Sequence, residues 1–283
     1  MPDSATLAVL RDVASFIVVA VALGIAVYGL LRMARPALAW NDGGAVLARP
    51  YSLADIYVGA LLASYLLSGL AAAPAPGSTG TGVEMQATFH TLLLNIVFML
   101  ALCVLLLLYL VVLRGLNPAD LFGLHRLSVP RAALRALGYI IPVYAVITLI
   151  AVVVTQAAKD VWPDSGPQDV VKAFRTARDL PLRVIMLLTA VIVAPLVEET
   201  VFRGFIYGVL KRYTDGWFAA LCSAALFALV HMHVGSFVPL FVLALGFCAA
   251  YERTGCLLVP MFMHAFFNGT STALLWFFPN IPN

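Results

Sequence analysis

Eight apolar runs of spanning or near-spanning length follow one another along the chain, near residues 13–31, 53–73, 87–113, 136–158, 183–210, 217–234, 237–251 and 257–278. A hydrocarbon layer about 30 Å thick takes about 20 apolar residues of helix to cross, and within it each backbone amide must find its partner inside its own segment. The expected fold class is therefore all-α, a polytopic integral membrane protein of about eight transmembrane helices. With 63% hydrophobic and 11% charged residues and a mean hydropathy of +0.99, the 283-residue chain is far from the balance of a soluble domain. The seventh run, about fifteen residues, is too short to cross untilted at about 1.5 Å per residue and should be shielded by its neighbours. Asp3 and Asp12 precede the first run where a signal peptide would be basic, so it reads as a retained helix, although Ala37-Leu38-Ala39 supplies a small-residue cleavage signal.

A net charge of +3 without any Lys/Arg block argues against nucleic-acid partners. Cys103, Cys222, Cys248 and Cys256 have no paired spacing, so neither a disulfide nor a thiolate zinc site is expected. No internal repeat is visible, which counts against an inverted-repeat transporter. Taken alternately, the loops put ten basic residues on one side: Arg32, Arg35, Arg49, Arg114, Arg126, Arg131, Arg135, Lys211, Arg212 and Arg253. The positive-inside rule makes that side cytoplasmic and both termini external, against the contrary basic content of the connection between the fourth and fifth runs.

The expected organisation is one integrated membrane domain. Residues 1–160 form four helices without a chemical motif, 161–182 an extramembrane connection, and 183–283 four helices that carry the chemistry. In the connection, Val170, Val171, Phe174 and Ala177 recur at helical spacing, as in a short helix at the membrane surface. Residues 73–82 read as a flexible exposed loop.

The fifth run contains VIVAPLVEETVFRGFIYGVLKR, which sets Glu198, Glu199 and Arg203 in apolar surroundings. An ionisable group at the bilayer centre costs roughly 2.5 to 3.5 kcal/mol on insertion scales, so these three need partners or a task. Glu199 and Arg203, spaced i, i+4, share a helix face and can pair, while Glu198 points about 100° away as the free carboxylate.

Other polar groups in the apolar runs are few. His90 and Asn95 read as interfacial or interhelical hydrogen-bonding groups, and Asp55 as solvated near the boundary. His231 closes the sixth run, with His233 two residues on and facing away. His264 and Asn268, spaced i, i+4, share a face of the eighth. Glu198, His231 and His264 lie at depths that allow one shared site, suited to activating water or holding a metal. Pro195 and Pro260, three and four residues before Glu198 and His264, each free a carbonyl about a turn earlier and invite a kink.

The motifs Glu198-Glu199-x-x-Phe202-Arg203-Gly204, Phe227-x-x-x-His231 and His264-x-x-x-Asn268, in this order, resemble the CPBP family of CAAX proteases and bacteriocin-processing enzymes, over roughly residues 180–275. The resemblance implies an eight-helix intramembrane endopeptidase with a cytosolic cavity among helices five, six and eight. It further implies that Glu198 with His231 activates water, that His264 and Asn268 stabilise the oxyanion, and that Glu199 and Arg203 hold the site together. The substrate would be a membrane-associated or lipidated peptide or protein. A zinc ion held by Glu198, His231 and His264 and a metal-free glutamate mechanism fit these residues equally. Two other classes stay open: a catalytically silent scaffold or bacteriocin self-immunity protein of the same fold, and a proton-coupled transporter.

Overall fold

The computed structural model describes residues 28–30, 33, 44–71, 89–158, 168–177 and 179–278. Most of the first apolar run and the whole 73–82 loop lie outside these residues. In chain order the helices are α1 (Leu53–Ala71), α2 (Phe89–Leu108, continued by a π-helical turn at Tyr109–Leu113), α3 (Pro118–Leu121), α4 (Val129–Ala158), α5 (Asp169–Thr176), α6 (Leu180–Tyr213), α7 (Gly216–Val230), α8 (Val234–Thr254) and α9 (Leu258–Phe277). Among the described residues there is no strand. The protein is all-α and polytopic, and among the described residues four helices are long and apolar enough to cross a membrane: Leu92–Leu113, Val129–Ile150, Leu180–Tyr213 and Gly235–Thr254.

Local signals fix the ends of these helices. Asp215 caps α7, its carboxylate accepting from the amides of Trp217 and Phe218 at 2.8 and 2.9 Å. Gly255 stops α8 in the left-handed conformation at φ 61°. The seventh apolar run is not short after all. His233 caps α8, its Nδ1 accepting from the Ser236 amide at 3.1 Å, and the polar residues flanking the run wind into a 21-residue helix. At about 1.5 Å per residue that helix crosses the layer unaided.

Helix α6 is the axis of the bundle. Its side chains Val197, Val201, Phe202, Phe205, Ile206 and Tyr207 form the main core with Tyr51, Leu110, Phe122, Phe227 and Cys248. A second core joins α4, α8 and α9 through Ala136, Ile140, Phe247 and Met263. Helix α5 docks on protein through Phe174, which is buried with Met186 beside Leu182, Leu275 and Trp276. The Arg183 guanidinium lies 5.8 and 5.5 Å from the Phe174 and Trp276 ring centroids.

One end of the bundle gathers the loops assigned to a common side by their charge. The amide of Ala45 donates to the Glu252 carbonyl at 2.9 Å, Arg126 donates to the Ala45 carbonyl at 2.8 Å, and the amide of Leu257 donates to the Phe122 carbonyl at 3.0 Å. Lys211 is buried there, paired with Glu252 at 2.5 Å and donating to the Val46 carbonyl. It is not the solvated flanking charge that its position after an apolar run suggests. Asp55 is likewise buried rather than solvated, held by Arg114 at 3.0 Å and by the Tyr109 hydroxyl at 2.7 Å. His90 and Asn95 lie on the exposed face of α2.

Candidate functional site

Helix α6 leaves α-helical geometry on both sides of its acidic pair, being π-helical at Thr189–Val193 and at Thr200–Tyr207. A π-turn inserts an extra residue into the ladder and disturbs carbonyl pairing, and such turns recur at functional sites. Pro195 accounts for one unpaired carbonyl. In i→i−5 register the amide of residue 195 would serve the carbonyl of residue 190, and proline has no N–H. The Asn268 amide nitrogen, from α9, donates to the Ala190 carbonyl at 2.8 Å instead. Two carbonyls in the second π-segment also take side-chain donors, Ser223 Oγ on Phe202 at 3.2 Å and Tyr51 OH on Gly204 at 2.5 Å.

Between these segments, Glu199 Oε1 accepts from Arg203 Nη1 and from His264 Nδ1, each at 2.9 Å. All three residues are buried. Arg203 is caged by aromatic rings, its guanidinium carbon 4.4 Å from the Phe227 centroid and 5.0 Å from that of Phe247, and Nη2 donates to the Ala244 carbonyl. The cage screens the cation with ring faces where water is absent. Phe247 also stacks on the His264 ring at 5.3 Å, and Phe227 meets it edge-on at 5.9 Å. These contacts leave His264 little freedom except through its outer nitrogen.

That nitrogen, Nε2, faces Glu198 Oε2 across 4.0 Å. Glu198 Oε2 is buried and has no hydrogen-bond partner. The separation is too long for a direct hydrogen bond and suits a bridging water or a substrate atom. His231 ends α7 with Nδ1 2.7 Å from the Phe227 carbonyl. Facing a carbonyl, Nδ1 must carry the proton, so neutral His231 offers Nε2 as a lone pair.

The structure thus brings Glu198, Glu199, Arg203 and His264 together. Asn268 joins the neighbouring π-segment, and His231 meets the cluster through Phe227, whose ring lies 4.7 Å from its own. Sequence reasoning did not find Phe247, Ala244 or Tyr51, which carry no polar pattern of their own. Both histidines point an Nδ1–H at an oxygen, as metal-bound histidines do. Among the described residues, however, no three His, Cys, Asp or Glu side chains are close enough together to hold a metal ion.

The fold and this centre define a helical membrane protein with a charged, preorganised cluster enclosed by α6, α7, α8 and α9. Residues 180–270 match the Rce1-like family, described as type II CAAX prenyl endopeptidase Rce1-like, the stretch that carries the three motifs. Over 84 residues, 30% of this chain and 34% of the relative, it is 33% identical to "Putative membrane peptidase YdiL" of Bacillus subtilis (strain 168). Over 92 residues, 31% of this chain and 42% of the relative, it is 36% identical to an "Uncharacterized 24.3 kDa protein" of Escherichia coli. The chain therefore spans well under half the length of the curated relatives it matches. No solved structure matches it.

Proposed function

We propose that this protein is an intramembrane endopeptidase of the CAAX-protease type, which hydrolyses a peptide bond of a membrane-associated or lipidated peptide with water activated by Glu198 and His231. The observation that carries this reading is the buried, unpartnered Glu198 Oε2 facing His264 Nε2 at 4.0 Å, with His264 held from behind by Glu199 and Arg203. In the proposed step His264 carries a proton on both ring nitrogens, directing Nδ1–H to Glu199 and Nε2–H toward the substrate. Glu198 takes a proton from water, the His231 Nε2 lone pair accepts its second hydrogen bond, and the water oxygen bonds to the scissile carbonyl carbon. The oxyanion accepts from His264 Nε2–H and from the Asn268 N–H that Ala190 leaves unused. Collapse breaks the C–N bond, and the proton on Glu198 passes to the leaving amine.

The reading also sets the charge-rich loop end of the bundle at the cytoplasm, with the cavity opening to that side. Its test uses wild type, Glu198→Gln and His264→Ala in detergent, assayed on quenched peptides with and without a prenyl group, with bound zinc quantified. Cleavage by wild type alone is expected. Stoichiometric zinc lost in both variants would move the mechanism to a metal, and a folded wild type that cleaves no peptide would favour the scaffold reading.

A further inference from the structure

Helix α6 carries Gly204 and Gly208 one turn apart, a small-residue groove of the kind that lets another backbone approach closely. Among the described residues, what lies nearest it is side chains. A Cβ on Gly208 would stand 2.4 Å from the Tyr51 ring, and one on Gly204 would stand 3.0 Å from the Phe122 ring. Tyr51 is buried, 3% exposed, makes an edge contact with Phe205 at 5.9 Å, and donates its hydroxyl to the Gly204 carbonyl. The segment that presents it, residues 44–51, is tied to the bundle end through Ala45 and Val46. Tyr51 thus reaches the second π-segment from outside residues 180–270 and caps a carbonyl directly after Arg203.

We propose that Tyr51 is a positioning residue for the site, holding the Thr200–Tyr207 segment in π-helical register so that Arg203 and Glu199 present His264 correctly. The inference rests on the peptidase reading for its kinetic consequence, but not for its structural one. A π-segment is metastable against the α-helix, and each extra residue turns the N-terminal part of the helix by about 100° relative to the C-terminal part. Without the phenol donor the π-helical segment loses a hydrogen bond that reaches it from outside the helix, and return to α-helical register becomes competitive. Arg203 then leaves its place between Phe227 and Phe247, and the link from Glu199 to His264 loosens. Gly208 belongs to the same device, because only a residue without a side chain admits the Tyr51 ring.

The experiment compares wild type, Tyr51→Phe, Gly208→Ala and the double variant, reading kcat, KM, the thermal midpoint and the ¹⁵N imidazole signals of His264 in histidine-labelled protein. Tyr51→Phe keeps the ring and should lower kcat roughly fivefold to tenfold with KM unchanged. It should shift the His264 signals while leaving those of His233 in place. Gly208→Ala, which displaces the ring, should give the same signature, and the double variant should add little to either. Full kcat with unmoved His264 signals in Tyr51→Phe would overturn the proposal, as would a lowered midpoint with kcat and the His264 signals unchanged. If wild type cleaves no peptide, the peptidase reading fails, and the His264 signals alone decide whether Tyr51 positions the site.

Discussion

Glu199 Oε1 is shared by two donors, Arg203 Nη1 on its own helix and His264 Nδ1 on α9, each at 2.9 Å. One carboxylate oxygen therefore couples a buried cation to the ring that faces Glu198. Removing it should separate structural from catalytic consequences at adjacent positions. Glu199→Ala leaves Arg203 buried without a counter-charge and is expected to cost about 3 to 5 kcal/mol of stability, visible as a large drop in the thermal midpoint in detergent. Glu198→Gln breaks no ion pair within hydrogen-bonding distance, so it should leave the midpoint within a few degrees of wild type while abolishing peptide cleavage. Loss of stability in Glu198→Gln comparable to that in Glu199→Ala would contradict this division.

Asn268 and Pro195 should be energetically coupled. Asn268→Ala strands the Ala190 carbonyl only while residue 195 has no N–H. Pro195→Ala restores a donor on the same helix, so the double variant should be more stable than the sum of the single effects by about 1 kcal/mol. A double-mutant cycle on unfolding checks this, with strict additivity the contrary outcome.

The Asp55–Arg114 pair offers a second test of burial. Asp55 is fully buried, and Arg114 supplies its only ion pair among the described residues. Arg114→Met should destabilise by about 3 kcal/mol, discounted from the upper range because the Arg114 side chain is 22% exposed. Adding Asp55→Asn should recover a substantial part. An unchanged midpoint in Arg114→Met would show that Asp55 finds water or another donor.

The proposed cytoplasmic side of the bundle makes a labelling prediction. Single cysteines at Ser128 and Asp215 should react with an impermeant maleimide only from the cytoplasmic side, and one at Asp179 only from the opposite side. The reverse pattern would invert the topology and place the site's opening outside.

Much of the architecture was legible because it is local. Apolar length sets helix existence, and i, i+4 spacing sets the pairing of Glu199 with Arg203; both survived folding unchanged. Local reasoning failed where charge was judged by its place in the chain. Lys211 and Asp55 sit at the ends of apolar runs, where solvent is the default, yet each is buried beside a partner supplied by another helix. The 15-residue seventh run was underestimated for a related reason: its length was counted from hydropathy alone, whereas His233 and Gly255 set its actual ends.

The sequence by itself determined a helical membrane protein with one charged helix and the order of three motifs, since both follow from composition and spacing over a few residues. Only the tertiary structure decided which atoms meet. His264 finds Glu199 across 65 residues, Asn268 finds Ala190 across 78, and Tyr51 finds Gly204 across 153. The physical reason is that a carboxylate or an extra-accepting carbonyl inside an apolar bundle must take whatever donor the packing brings. That donor is chosen by how helices stack, which no local pattern records.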